Sequence, residues 1–297
     1  MLPQKRKSLI GFSLVGLASV LFGSLGYFGL EIMKSGLVVE EMLFWRFSIS
    51  TILLLPFMLL EKFKPISLKT FSLIVFCVAV YSFGAWIYFL AVVEIGTGLS
   101  MVLFFIFPVI VCLLNWSVKG EKSSYTTFIS LFFVFIGIFL LASIHVYTVS
   151  SFGIICALTS GIGYGAYIFC SESLEISTTQ ATFWVCIGSS LFFLILISSG
   201  NSPQILPRMP TDWVNAIILS ILCTLLPIFL LLRAMHYIST THLSILSVIE
   251  PIATLLIGHY VLRELITGQQ WIGIWIILIS VVLLKLELLL KETPQIG

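Results

Sequence analysis

Two stretches of this 297-residue chain decide its architecture: FPVIVCLLNWSVKGE (Phe107–Glu121) and EPIATLLIGHYVLRE (Glu250–Glu264). Each is apolar, places proline second, and ends on a glutamate. Pro108 and Pro251 are 143 residues apart, as are Glu121 and Glu264. The same offset pairs Ala91 with Ala234, Ile95 with Ile238 and Thr97 with Thr240. Upstream, MLFWRFSIS (Met42–Ser50) resembles ATFWVCIGS (Ala181–Ser189), with Phe44 and Trp45 matching Phe183 and Trp184 at an offset of 139. LGY (Leu25–Tyr27) resembles IGY (Ile162–Tyr164) at 137. Each match alone is weak, but their common order and nearly constant offset signal an internal duplication.

The duplicated unit is made of membrane segments. The chain is 59% hydrophobic and 9% charged, with a mean hydropathy of +1.16. Soluble domains carry about 25% charged residues, so most of this surface faces lipid. Crossing a bilayer takes roughly 20 apolar residues. Ten stretches are long enough, at about 8–30, 42–60, 70–93, 98–118, 125–145, 151–171, 180–199, 213–233, 241–262 and 268–290. The expected fold is an all-α membrane protein of ten transmembrane helices. They form two five-helix repeats, residues 1–145 (helices 1–5) and 146–297 (helices 6–10). An odd number of passes per repeat turns the second copy upside down. The first stretch follows QKRK, as a signal peptide would. It is longer than such a core, lacks a clear small-residue cleavage site and takes part in the repeat, so it reads as a retained helix.

Lys and Arg positions give the orientation. With the N-terminus in the cytoplasm, eleven lie inside (Lys5, Arg6, Lys7, Lys62, Lys64, Lys69, Lys119, Lys122, Arg233, Lys285, Lys291). Three lie outside (Lys34, Arg208, Arg263), and both termini are cytoplasmic. Glu121 then falls on the Lys-rich side and Glu264 on the poor side, as an inverted repeat requires. The net charge of +2 offers no basic stripe for nucleic acid. All six cysteines lie in apolar runs without a CxxC pair and read as small apolar side chains.

Ten segments in two repeats, with a proline in segments 4 and 9 and a glutamate thirteen residues on, resemble the drug/metabolite transporter superfamily. The EPIATLLIGHYVLRE stretch, the Ala-xxx-Ile-Ser/Gly-Thr run before segments 4 and 9, and Arg46 early in segment 2 resemble its EamA family. The resemblance covers essentially the whole chain. It implies small-metabolite transport, often export of amino acids or related compounds, through a central cavity in a bacterial cytoplasmic (inner) membrane. The chain departs from the family in having LFGS (Leu21–Ser24) where many members have tryptophan-glycine in segment 1.

Inverted-repeat transporters bind substrate near the midplane, where the halves meet. Glu250 falls about halfway along segment 9. A carboxylate there costs roughly 2.5–3.5 kcal/mol on insertion scales, so it must face a cavity or a partner. It binds a substrate ammonium or carries a proton; otherwise it is a structural carboxyl holding segment 9 to a neighbour. Segment 4 has Phe107 at the equivalent position, an asymmetry expected of a site. Pro108 and Pro251 remove backbone hydrogen bonds and free the carbonyls of Phe104 and Ser247. Such backbone is tolerated only where it is buried in protein or lines water, so both are candidate kinks, with Gly84. Arg46 is either a guanidinium fork for a substrate carboxylate or a snorkelling cation paired with Glu31, Glu40, Glu41 or Glu94. The acids at its own level favour the pairing. Tyr81 and Tyr88, flanking Gly84, share one face of segment 3. Tyr27, Trp86, Tyr164, Tyr167, Trp184 and Phe107 are the other candidate cavity walls, each also explicable as lipid-facing filler. Ala157, Gly161 and Gly165 form a helix-packing stripe, and Trp213 and Trp271 sit at interfacial depths.

An intramembrane enzyme is the contrasting class. The only aspartate, Asp212, is read in a loop, which removes an aspartyl mechanism. His236, His242 and His259 make no HExxH, so neither a metal nor a cofactor is expected. No charge ring or filter motif suggests a channel. The expected partners are a small-molecule substrate, the lipid bilayer and protons as a coupling ion. Two substrate classes stay open: a zwitterion such as an amino acid, using Glu250 and Arg46, or a cationic nucleoside-like metabolite or drug using Glu250 and aromatics alone. Export is the family habit; import is the alternative.

Overall fold

The computed structural model describes residues 4–61, 66–121, 124–141, 150–199, 206–263 and 265–291. Glu264, one half of the matched glutamate pair, lies outside them, as do Lys62, Lys64 and Lys122. The described residues are helical throughout, joined by turns. The helices are α1 (Gln4–Gly23), α2 (Leu25–Met33), α3 (Val39–Leu60), α4 (Leu68–Phe104), α5 (Phe107–Lys119), α6 (Tyr125–Leu141), α7 (Ser151–Ser171) and α8 (Thr178–Ser199). There follow α9 (Pro210–Ser220), a π-turn (Ile221–Leu225), α10 (Leu226–Ala234), α11 (Thr240–Leu246), α12 (Ile249–Leu262) and α13 (Gly268–Lys291).

Local chemistry sets these boundaries. Ser67, Ser150 and Ser239 cap α4, α7 and α11 by accepting a backbone N–H of the first turn. Glu41 reaches back to the Val38 N–H (3.0 Å) at the start of α3. Asp212 does the same for Met209 (2.9 Å). Asp212 is therefore a cap within the first turn of α9, not a loop residue.

Among the described residues, seven stretches are long and apolar enough to cross a membrane: 6–33, 39–60, 68–119, 151–171, 178–199, 210–234 and 240–261. Two shorter apolar helices, Tyr125–Leu141 and Gly268–Leu284, accompany them. The 68–119 stretch has 52 residues; a straight helix of that length would run about 78 Å, far beyond a bilayer core of about 30 Å. It turns at Gly96, whose φ of 78° is open to glycine and strained for other residues, and breaks again between Phe104 and Phe107. The stretch 240–261 likewise breaks at Ser247–Val248. Glu250 thus stands in the first turn of a half-helix, where the N-terminal end of the dipole favours an anion. It is not midway along an unbroken span.

The packing has approximate two-fold symmetry. α4 packs on α7 as α10 packs on α1, and α5 packs on α7 as α12 packs on α1. α3 pairs with its own equivalent α8, and α6 with α13. These self-pairs run antiparallel. In α3–α8, Ser48 meets Ser190 (2.6 Å) while the preceding Phe47 stacks on the later Phe193. In α6–α13, Ser130 reaches the Ser280 carbonyl and Leu141 receives the Gln270 amide. Close helix crossings repeat the symmetry. A methyl on Gly23 would lie 2.6 Å from Ala253 Cβ and 3.0 Å from the Glu250 carbonyl; one on Gly165 would lie 2.9 Å from Ile110 Cβ and 3.0 Å from the Phe107 carbonyl. Gly11 meets Tyr237 and Ile238 as Gly153 meets Glu94 and Ile95. These glycine pairs sit at an offset of 142, so the match of LGY to IGY at 137 is not the structural correspondence. A shared Gly-Tyr dipeptide misled it.

At one end the symmetry fails. α5 packs against α11, where Asn115 Nδ2 donates to Thr240 Oγ1 (3.0 Å) and Thr241 Oγ1 (2.8 Å). Thr240 in turn donates to Glu172 Oε2 (3.0 Å), which is also paired with Lys119. The equivalent contact would join α12 near Gly258 to residues 97–103. Among the described residues no comparable packing exists there.

Candidate substrate site

Where the halves meet, a cavity of about 60 Å³ opens. α1–α2 contribute Phe22 and Leu25, and α3 contributes Arg46. α4 supplies Val80, Tyr81, Gly84, Ala85, Tyr88, Phe89 and Phe104; α7 supplies Ser160 and Tyr164, and α12 supplies Glu250. The wall is thus apolar and aromatic, with one guanidinium, one carboxyl group and three phenols.

Arg46 corrects the sequence reading. It neither snorkels outward nor meets Glu31, Glu40, Glu41 or Glu94. It is 2% exposed, its guanidinium lying 4.9 Å from the Phe47 ring centroid. Nε donates to Thr224 Oγ1 (2.6 Å) and Nη2 to the Cys223 carbonyl (3.2 Å). Glu31 pairs with Lys34, and Glu40 accepts from Trp86 Nε1 (2.7 Å). Among the described residues, the ion pairs within 4.0 Å are Lys34–Glu31 and Lys119–Glu172. Arg46 and Glu250 line one cavity without forming another.

Glu250 is held from its backbone. Its N–H bonds the Ser247 carbonyl (2.9 Å), and its carbonyl accepts from Thr254 Oγ1, which also reaches the Gly23 carbonyl. Ser247 therefore keeps a partner despite Pro251. The carbonyl of Phe104, freed in the same way by Pro108, abuts Gly161 so closely that a methyl there would overlap it. The Ala157, Gly161 and Gly165 stripe thus does more than pack α7: it admits the broken backbone between α4 and α5.

The other expected residues divide clearly. Tyr81, Tyr88, Tyr164 and Gly84 line the cavity. Phe107 stands one layer back, its ring 5.0 Å from Tyr164 and 5.3 Å from Phe104. Tyr167 backs Tyr81 at 4.7 Å. Three candidates fall outside. Trp86 turns toward Glu40, Trp184 packs edge-on against Phe71 and Phe183, and Tyr27 packs against Phe28. None of the three lines the cavity, although Trp184 meets the first half through Phe71. Sequence reasoning missed Phe22, Phe104 and Ser160. Phe22 belongs to LFGS, the stretch of segment 1 that departs from the resemblance noted above. Phe104 adjoins the proline break, where only its carbonyl drew notice; Ser160 adjoins the small-residue stripe and is not singled out by the sequence. Among the described residues no cluster of three metal-binding side chains occurs.

The model of the EamA-like transporter family matches residues 9–143 and again 151–286. A protein of Archaeoglobus fulgidus, described as an uncharacterized transporter, is 25% identical over 277 residues, covering 92% of this chain and 95% of that protein. A second, from Synechocystis sp. and similarly described, is 24% identical over 220 residues, covering 70% of this chain and 64% of its own. A solved crystal structure superposes with a TM-score of 0.80 over 97% of this chain and 99% of that chain. At 15% identity it speaks for the fold alone.

Proposed function

The chain belongs to the EamA-like transporter family, and from that premise we propose that it carries a small zwitterion, an amino acid or close relative, by alternating access. It is a multi-pass membrane transporter of this type. The substrate reading rests on one observation: Arg46 and Glu250 line the same aromatic cavity without neutralising each other. A guanidinium fork with unused N–H groups suits a carboxylate. Glu250, with Tyr81, Tyr88 and Tyr164 around it, suits an ammonium. A cationic nucleoside-like metabolite or drug would use Glu250 and the rings alone, leaving Arg46 a buried cation without a counter-ion. That cost favours the zwitterion.

In this reading the chain crosses the bacterial inner membrane ten times. The 68–119 stretch counts as two passes and the two shorter helices as one each. Residues 1–145 and 146–297 are the inverted repeats, and both termini are cytoplasmic. The antiparallel self-pairs α3–α8 and α6–α13 support the inversion. The closure of α5 on α11 at the Lys119 end, without an equivalent at the Gly258 end, supports alternating access. It describes a conformer shut toward the Lys-rich side, and export completes when Asn115 releases Thr240 and Thr241 to readmit cytoplasmic substrate. Glu250 exchanges its substrate for a proton on the return.

Uptake into proteoliposomes against a panel of amino acids, nucleosides and polyamines tests the reading. Both Arg46→Ala and Glu250→Gln are expected to lower amino-acid transport at least 100-fold, about 2.7 kcal/mol, while Phe107→Leu at the equivalent position stays within fivefold. Full activity of Arg46→Ala with loss in Glu250→Gln would hand the site to a cation. A flat pH profile unchanged by Glu250→Gln would remove the proton step.

A further inference from the structure

Arg46 faces a segment whose irregularity has a chemical cause. In a regular helix the carbonyl of Cys223 would accept the N–H of residue 227. That residue is Pro227, which has no N–H and whose ring crowds the carbonyl four residues before it. The chain relaxes by widening into the π-turn Ile221–Leu225, an arrangement frequent at functional sites. The Cys223 carbonyl, deprived of its helical donor, accepts Arg46 Nη2 at 3.2 Å. One residue on, Thr224 Oγ1 donates to the Leu219 carbonyl (3.0 Å), five residues back, a reach the widened turn permits. With its proton committed there, the hydroxyl presents a lone pair to Arg46 Nε at 2.6 Å. Thr224 is fully buried, so this bond has no competition from water.

From these contacts we infer that the proline-interrupted turn Cys223–Pro227 is a dock for Arg46, with Thr224 as the positioning residue that gives the cavity its selectivity for carboxylates. The inference rests on the reading of Arg46 as carboxylate receptor. A guanidinium has five N–H donors in a rigid fork. Engaging Nε and one hydrogen of Nη2 on the dock fixes its plane; Tyr81 is a further hydrogen-bond partner of the guanidinium in the cavity wall, and the remaining donors are those a ligand would meet. Valine in place of Thr224 keeps the shape but removes the acceptor, and the fork is free to rotate toward the Cys223 carbonyl or toward Glu250. Either outcome lowers affinity for a planar anion without touching the aromatic walls. The repeat equivalent of Thr224 is Tyr81, 143 residues earlier, and the equivalent of Arg46 is Val185, which needs no dock.

The test uses the full chain in lipid nanodiscs with ¹⁵N-labelled arginine, the Arg46 signals being assigned by their loss in Arg46→Lys. Benzoate serves as carboxylate probe and benzylammonium as cation probe. In the parent, a protected Nε–H signal is expected, and benzoate shifts the Arg46 resonances. Thr224→Val should expose Nε–H to rapid exchange and raise benzoate half-saturation at least tenfold, with benzylammonium unchanged. Thr224→Ser should restore both. An Nε–H signal unmoved in Thr224→Val, or a benzoate half-saturation unmoved while the parent responds, overturns the dock. A parent whose Arg46 ignores benzoate sinks the carboxylate-receptor reading beneath it and with it the selectivity claim, while the exchange measurement still decides the geometry. Equal weakening of both probes would mark Thr224 as merely structural.

Discussion

The first and second repeats present nearly the same backbone to the centre of the molecule but opposite chemistry. Glu250 of the second corresponds to Phe107 of the first, and Arg46 of the first to Val185 of the second. Phe107 is 0% and Val185 2% exposed, both plain core. Each repeat thus brings one charge and fills the other's counterpart with an apolar side chain. The α4 wall, with Tyr81 and Tyr88, lines the cavity; its equivalent in the π-turn and α10 is turned aside to hold Arg46. The lesson is a division of labour. The paired prolines and glycine crossings are duplicated, whereas the two charged residues of the proposed site, and the π-turn that holds one of them, occur once.

That division is first broken by adding a methyl at equivalent crossings. Gly23 faces the Glu250 carbonyl at 3.0 Å as Gly165 faces that of Phe107, and in both a Cβ of the opposing helix stands closer still. Gly23→Ala and Gly165→Ala should each destabilise by about 1–3 kcal/mol, the usual cost of overpacking. Gly163→Ala, whose methyl would meet Val80 at an ordinary 3.4 Å, should be neutral or slightly stabilising. Thermal unfolding in detergent reads all three. Unequal losses at Gly23 and Gly165 would show that the scaffold too is asymmetric.

The duplicated features were the legible ones. Pro108 and Pro251 and the offset of 143 announce paired broken helices, because proline acts on its own backbone and leaves its mark in the sequence. Glu250 was legible as well, since a carboxylate in an apolar run has few explanations. Arg46 was not: besides Tyr81, its partners are a carbonyl and a hydroxyl about 180 residues away, and an unbonded carbonyl has no residue type. Pro227 was the available signal. Read beside Arg46, it says that the Cys223 carbonyl needs a donor. The aromatic candidates failed for another reason. In a chain whose segments are apolar all round, helical phase gives no hint of which ring faces the cavity, and neither Trp86 nor Trp184 lines it.

The second asymmetry lies at the ends of the molecule. Asn115 ties α5 to α11, while its equivalent, Gly258, has no side chain to do so. Hydrogen bonds between membrane helices contribute about 0.6 kcal/mol each, so losing the two from Asn115 shifts a two-state equilibrium by about 1.2 kcal/mol, or roughly sevenfold. With native cysteines replaced, a cysteine at Ser160 reports access to the cavity. Asn115→Leu should raise its labelling from the Lys119 end about fivefold, whereas Gly258→Ala should change it less than twofold. Unchanged labelling in Asn115→Leu would mean that the α5–α11 contact packs the end without gating it.

The smallest effect sits where both half-helices stop. α5 ends on Gly120 (φ 70°, ψ 12°), whose N–H bonds the Trp116 carbonyl while Glu121 N–H bonds that of Asn115. α12 ends at the equivalent position in the same left-handed conformation, but there the residue is Arg263 (φ 60°, ψ 25°), the one non-glycine residue at positive φ among those described. An L-residue pays about 1–2 kcal/mol for that conformation, and glycine recovers most of it, less its larger loss of freedom on folding. Arg263→Gly is therefore expected to stabilise by about 0.5–1 kcal/mol, and Gly120→Ala to destabilise by about 1 kcal/mol or more. Arg263 is exposed and far in sequence from the cavity wall, so transport should not change. Denaturation midpoints of the two variants decide it. A loss of stability in Arg263→Gly would show that the guanidinium holds the end of α12 by contacts that outweigh its backbone strain, making this terminus, unlike its twin, a feature the second repeat acquired alone.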